Sequence, residues 1–196
     1  MLSIASICAI PAVVGLIILR KEVITLISGN NYLEAAPTLA ILSAAIFFGV
    51  LANILANGVL ICMGREKCVV KATVISAIGN AALNFVFIPF LSQNGAAITT
   101  LLAEMTVFGM ALYYSRDIVM HMIDFSEFRN AILGSALMIL VSFPVSRVLE
   151  NSHLIAKIAI TISVCAGIYV TVLAILRDKV LFGIIEQIKR KVHKGK

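Results

Sequence analysis

Apolar residues run along this chain in six long blocks, and most of its polar residues are gathered between them. The blocks are Leu2–Leu19, Leu39–Met63, Val69–Leu91, Gly95–Tyr114, Ala131–Val148 and Leu154–Leu176. Each approaches or exceeds the ~18 residues at which an apolar helix crosses the hydrocarbon core of a bilayer. A soluble helix of that length carries a polar stripe wide enough to face water, and most of these carry none. Membrane strands do not fit either, because they need about 9–11 residues and alternate apolar with polar. The pattern predicts an all-α integral membrane protein with about six transmembrane helices.

The links between blocks predict which helices are neighbours. Pro11 lies within the first block and can kink it, because neighbouring helices re-satisfy the carbonyl that a proline frees. The connection from Arg20 to Pro37 is moderately polar, with Gly29-Asn30-Asn31 as its turn signal and Tyr32 suited to an interface. Gly64-Arg65-Glu66-Lys67 joins the second and third blocks, and Ser92-Gln93-Asn94-Gly95, just after Pro89, joins the third and fourth. Such short links make antiparallel neighbours of the helices they join. The longest polar stretch, Ser115–Asn130, separates a four-helix part from a final pair. From Val180 onward, Leu181, Ile184, Ile185, Ile188 and Val192 recur at helical spacing against a basic face. That spacing predicts an amphipathic interfacial helix on the membrane surface.

Composition agrees: 61% of the 196 residues are hydrophobic and 13% charged, against about 25% charged in a soluble domain. The net charge of +6 matters chiefly through its placement. With six spans, one side receives Arg65, Lys67, Lys71, Arg116, Arg129 and seven basic residues of the last twenty, twelve in all. The other side receives Arg20, Lys21, Arg147 and Lys157. The positive-inside rule puts the richer side, and both termini, in the cytoplasm. The basic excess then reads as topology and contact with anionic membrane lipids, and nucleic acid is not expected as a partner. Arg147 and Lys157, near span ends, are expected to snorkel to the head groups. A cleaved signal is disfavoured, since no basic region precedes the first block and Arg20-Lys21 follow it. The first block begins without a polar lead, an arrangement expected of a truncated reading frame or fragment.

Little in the chain points to bond-making chemistry. Cys8, Cys62, Cys68 and Cys165 lie in or beside spans without metal-ligand spacing and read as apolar filler. His121, His153 and His193 fall in loops or the tail. No nucleotide-binding loop, nucleophile elbow or HExxH occurs. No metal, cofactor or enzymatic activity is expected.

The polar residues inside the blocks carry the functional signal. Ala45, Gly49, Asn53 and Asn57 recur every four residues in the second block. Ala72, Ser76, Asn80 and Asn84 do so in the third, and Ala96, Thr100 and Glu104 in the fourth. Such stripes either line a polar cavity for a substrate head group or serve helix packing, where interhelical hydrogen bonds contribute about 0.6 kcal/mol on average. The candidate cavity residues are Asn53, Asn57, Asn80, Asn84 and Thr100. Glu104 is the sharpest of the set. A charged residue at the middle of a span costs roughly 2.5–3.5 kcal/mol on insertion scales, so it faces protein or water, is paired, or holds its proton. It is the candidate for proton coupling, with a structural hydrogen bond as the bland alternative.

Two stretches carry a family likeness: "LISGNNYLEAAPTLAIL" around Gly29–Leu42, and "GREKCVVKATVISAIGNAALNFVFIPFLSQNGAAITTLLAE" over Gly64–Glu104. The second has a short basic turn, Asn80 and Asn84, Pro89, a Gly95-Ala96-Ala97 entry and Thr99-Thr100 before Glu104. Together with Pro11-Ala12-Val13-Val14-Gly15, they make the chain resemble the polysaccharide (O-antigen type) flippases of the multidrug/oligosaccharidyl-lipid/polysaccharide (MOP) exporter superfamily. The resemblance covers most of residues 1–115 and is looser beyond. Complete members have about fourteen spans in two six-helix lobes plus an extra pair. The resemblance therefore implies a partial MOP/MATE-like bundle. Residues 1–115 would be the four-helix part of the second lobe, 116–130 a cytoplasmic loop, 131–176 the final pair and 177–196 the basic tail. It further implies a bacterial inner-membrane flippase acting by alternating access on polyprenyl-pyrophosphate-linked oligosaccharide. An N-terminal half or a second copy would be its structural partner. The alternatives are a multidrug or cation antiporter of the same superfamily and a non-transporting fragment.

Overall fold

The computed structural model describes residues 2–119, 125–149, 153–178 and 182–183, and nearly all of them are helical. Six α-helices follow in order: α1 (Leu2–Ile18), α2 (Arg20–Ser28), α3 (Ala36–Leu55), α4 (Glu66–Val119), α5 (Phe125–Val148) and α6 (Leu154–Ile175). A 3₁₀ turn at Asn30–Ala35 leads into α3, and a π-helical stretch at Ala56–Ile61 follows it. The interfacial helix expected from Val180 onward lies outside the described residues, apart from a helical pair at 182–183; of the tail ahead of it, Arg177 and Asp178 are described.

α1 continues through Pro11, and the sharp bend, 70°, comes between Ile4–Ile18 and Arg20–Ser28. Pro11 cannot donate to the carbonyl four residues back, which belongs to Ile7. The Tyr169 hydroxyl of α6 donates to that Ile7 oxygen at 2.7 Å, so the helix keeps its course while the freed acceptor is satisfied from outside. The bend at Leu19 turns α2 across the end of the bundle, where Glu22 meets Lys157 of α6 at 2.8 Å. Lys157, expected to reach towards the head groups, pairs there with a carboxylate of this chain.

A straight helix of 54 residues would be about 81 Å long, far beyond a bilayer core of ~30 Å. α4 is not straight. Ser92 has φ 48° and ψ −128°, outside the helical region. Contacts pair residues ever farther apart on either side of it. Asn84 meets Thr99, Ser76 donates to the Ala103 carbonyl at 2.8 Å, and Arg65, just ahead of α4, grips Asp117. α4 is therefore a hairpin of two antiparallel arms, 66–91 and 93–119, which are the third and fourth apolar blocks. Gly95 makes its tip possible, since a Cβ there would lie 2.4 Å from the Phe87 carbonyl oxygen.

α3 runs parallel to the second arm and hence antiparallel to the first. Thr38 donates to Asn94 at 2.7 Å near one end, and Phe48 stacks obliquely on Phe108 farther along, centroids 5.8 Å apart. Leu55, Leu60, Ala111 and Val119 form the apolar core of this three-layer unit. A second core joins α1, α5 and α6 through Ile7, Ala131, Met138, Cys165, Tyr169 and Leu173. Gly134 lets α5 approach closely there, because a Cβ would stand 2.8 Å from the Tyr169 ring. α1 packs on both α3 and α5 and so ties the two units together.

The outer faces are apolar: Phe85 and Phe90 are each 84% exposed and Val148 82%. Water is a poor solvent for such a surface at about 25 cal/mol per Å². Several of these helices are long and apolar enough to cross a membrane.

Candidate functional site

The links gather at two ends of the bundle. At one end lie α2 with the Glu22–Lys157 pair and the hairpin tip, whose Gln93 amide donates to the Glu34 carbonyl at 3.2 Å. At the other end Arg65 forms a two-pronged contact with Asp117, Nη1 to Oδ1 at 3.0 Å and Nη2 to Oδ2 at 2.7 Å, while Nη1 also donates to the Tyr114 carbonyl at 2.8 Å. The donated bond from Arg65 holds the Asp117 carboxyl below its ordinary range, and the same bond raises the Arg65 guanidinium. Asn130 donates to the buried Asp178 carboxylate at 3.0 Å at this end too.

Between the ends, the six residues singled out from the sequence fall into three places. Asn57 donates to Asn53 Oδ1 at 2.9 Å, and both are exposed on the later turns of α3 and the stretch that follows it. Asn84 and Asn80 pair at 3.4 Å on the first arm, and Asn84 also meets the Thr99 hydroxyl across the hairpin. Thr100, beside it, donates to the Ala96 carbonyl of its own arm at 2.9 Å and points no proton at a neighbour. Asn84 further lines a shallow depression of about 420 Å³ with Phe85, Ile88 and Pro89. No hydrogen bond links the Asn53–Asn57 pair to the Asn80–Asn84–Thr99 group among the described residues.

Glu104 stands apart from both. Its carboxylate rests against α3, where a Cβ on Gly49 would lie 3.0 Å from Oε2. The stripe found in the sequence thus places its glycine at the point where α3 makes room for the acid. Glu104 is half-buried, and its carboxylate has no hydrogen-bond partner among the described residues. Phe48 adjoins Gly49, and Phe108 lies one turn beyond Glu104 on the second arm, so the contacting ring pair of α3 and that arm lies close to the acid along both helices. No pattern in the sequence alone singles out these rings. The four-residue spacing from Glu104 to Phe108 needs the register of α3 to be read. The sequence marks Thr99 only within the family likeness and gives no sign of the Tyr169–Ile7 bond.

No family model matches the chain, and a search of curated proteins gives no significant match.

Proposed function

We propose that this chain lies in the cytoplasmic (inner) membrane of a bacterium as a multi-pass bundle with both termini cytoplasmic, and that it serves in a flippase. Its cargo in this reading is polyprenyl-pyrophosphate-linked oligosaccharide for polysaccharide biosynthesis. Six spans follow if α1 with α2, α3, the two arms of α4, α5 and α6 each cross once. The uneven split of basic residues, twelve against four, supports the orientation. The likeness of 64–104 to polysaccharide flippases supports the cargo.

The single observation that carries a transport role is Glu104. An ionisable group within an apolar helix, close to a glycine of the facing helix and without a hydrogen-bond partner among the described residues, is the group this reading assigns to coupling or to a cargo contact. Two amide pairs and a threonine lie on the same three helices, ready to exchange their mutual bonds for sugar hydroxyls. The test is flipping of lipid-linked oligosaccharide in proteoliposomes across a range of pH, with wild type and Glu104→Gln compared. The variant is expected to flatten the pH profile. An unaltered profile would remove the coupling role.

A second reading has its own observation. Glu104 and the Phe48–Phe108 ring pair, one residue or one turn away along α3 and the second arm, offer the two features that hold an organic cation, a counter-charge and aromatic faces. That arrangement favours a multidrug or cation antiporter of the same superfamily. Proton-driven uptake of a lipophilic cation into inverted vesicles, lost in Phe108→Leu, would select this reading over the first.

A further inference from the structure

A cleft of about 470 Å³ opens between the junction of α1 with α2 and the last turns of α5. It has two unlike halves. Ile18, Ile139, Leu140 and Phe143 make one side apolar, while Arg20, Ser142 and Ser146 bring polar atoms to the same space. Arg20 is half-buried, and its Nη1 donates to the Ile17 carbonyl at 2.7 Å. No carboxylate forms an ion pair with it among the described residues, because Glu22, two residues on, is taken by Lys157 at 2.8 Å. The two serine hydroxyls donate back to their own helix, to Ile139 and Phe143 carbonyls at 2.8 Å each, so a small rotation frees them for another acceptor. Arg147 adjoins Ser146 and holds its guanidinium over the Phe143 ring at 4.9 Å, adding a second cation at the cleft's edge.

A guanidinium without a carboxylate partner among the described residues, two hydroxyls and an apolar wall describe the environment of a lipid phosphate with its first acyl carbons. The depth agrees: Arg20 stands at the end of α1, and α5 ends at Val148, where spans of this length meet the head groups. We propose that this cleft is a binding site for an anionic phospholipid, its phosphate paired with Arg20 and hydrogen-bonded by Ser142 and Ser146, its acyl chain against Ile139, Leu140 and Phe143. The site rests on the embedding of the helices in a bilayer and on no transported cargo. It also gives the bend at Leu19 a use, because the turn into α2 is what sets Arg20 beside α5.

The experiment is native mass spectrometry of the full chain released from detergent, with phosphatidylglycerol, phosphatidylcholine or glycerol 1-phosphate added. Wild type is expected to retain phosphatidylglycerol at least about fivefold more than phosphatidylcholine and to retain no glycerol phosphate, a preference worth about 1 kcal/mol. Arg20→Gln is expected to abolish the preference, Arg20→Lys to keep part of it, and Lys21→Gln, exposed and outside the cleft, to leave it intact. Thermal melting of each variant separates lost binding from lost fold. If Arg20→Gln destroys the fold, Ser142→Val with Ser146→Ala carries the test, with the same loss expected. Equal retention by wild type and the cleft variants would overturn the proposal. So would equal loss in Lys21→Gln, or retention of glycerol phosphate as strong as that of the lipid.

Discussion

At the scale of single residues, the bundle depends on a few backbone positions where side-chain size or conformation decides the packing. Ser92 holds φ 48° and ψ −128° at the hairpin tip, a region that costs a residue with a Cβ of order 1–3 kcal/mol. Ser92→Gly is expected to raise the stability by about 1 kcal/mol, read as a higher melting temperature in detergent micelles. Gly95→Ala is expected to do the opposite and by more, since its methyl would meet the Phe87 carbonyl at 2.4 Å. Tyr169→Phe leaves the Ile7 carbonyl without the donor that replaces the one Pro11 lacks. A loss of about 1 kcal/mol is expected, and Pro11→Ala in the same background should restore most of it by returning an amide hydrogen to Ile7. Failure of that rescue would break the link between the proline and the tyrosine.

At the scale of elements, the hairpin is closed at its open end by Arg65 and Asp117. The sign of its pH dependence follows from the lowered carboxyl. Stability from this pair is present above the ordinary aspartate value of 3.8 and is lost as the pH falls through the lower folded value. Asp117→Asn should therefore remove one acid-sensitive component from the unfolding profile below about pH 4 and leave the profile near neutrality parallel to wild type. The pair is exposed, so raising the salt concentration should weaken it. An acid limb identical in wild type and variant would show that the pair does nothing for the hairpin.

The elements themselves were largely legible in the sequence, because lipid-facing helices are written as local composition. The first block, Leu2–Leu19, is α1 to within a residue at its end, and Leu154–Leu176 is α6 to the same margin. The turn at Ser92-Gln93-Asn94-Gly95 announced the hairpin, and Gly95 proves to be the residue that permits it. α5 starts earlier than the block at Ala131, because Phe125–Asn130 continue the helix with polar residues that hydropathy alone assigns to a loop. The bend at Leu19 was not legible: no glycine or proline marks it, and Pro11, which does stand out, is bridged by Tyr169. The polar stripes were legible as stripes but not as partners. Asn53 with Asn57 and Asn80 with Asn84 satisfy each other at four-residue spacing within one strand of helix. The contact of Gly49 with Glu104 depends on a register between α3 and the second arm that no local pattern encodes.

At the scale of the whole molecule, the long helices run up and down between two ends, with connections gathered at those ends and apolar faces outward. Among the described residues, Arg20, Lys21, Arg147 and Lys157 lie towards the end holding the Glu22–Lys157 pair, and Arg65, Lys67, Lys71, Arg116, Arg129 and Arg177 towards the end holding Arg65 and Asp117. The central claim is that a bilayer lies between these ends and that the two arms of α4 each cross it. Single cysteines at Asn94 and Lys67, in a chain whose four natural cysteines are replaced, measure this through labelling by a membrane-impermeant maleimide. In intact cells Asn94→Cys is expected to react and Lys67→Cys to be protected, with the order reversed in inverted vesicles. Equal labelling of both positions from the same side would contradict the crossing.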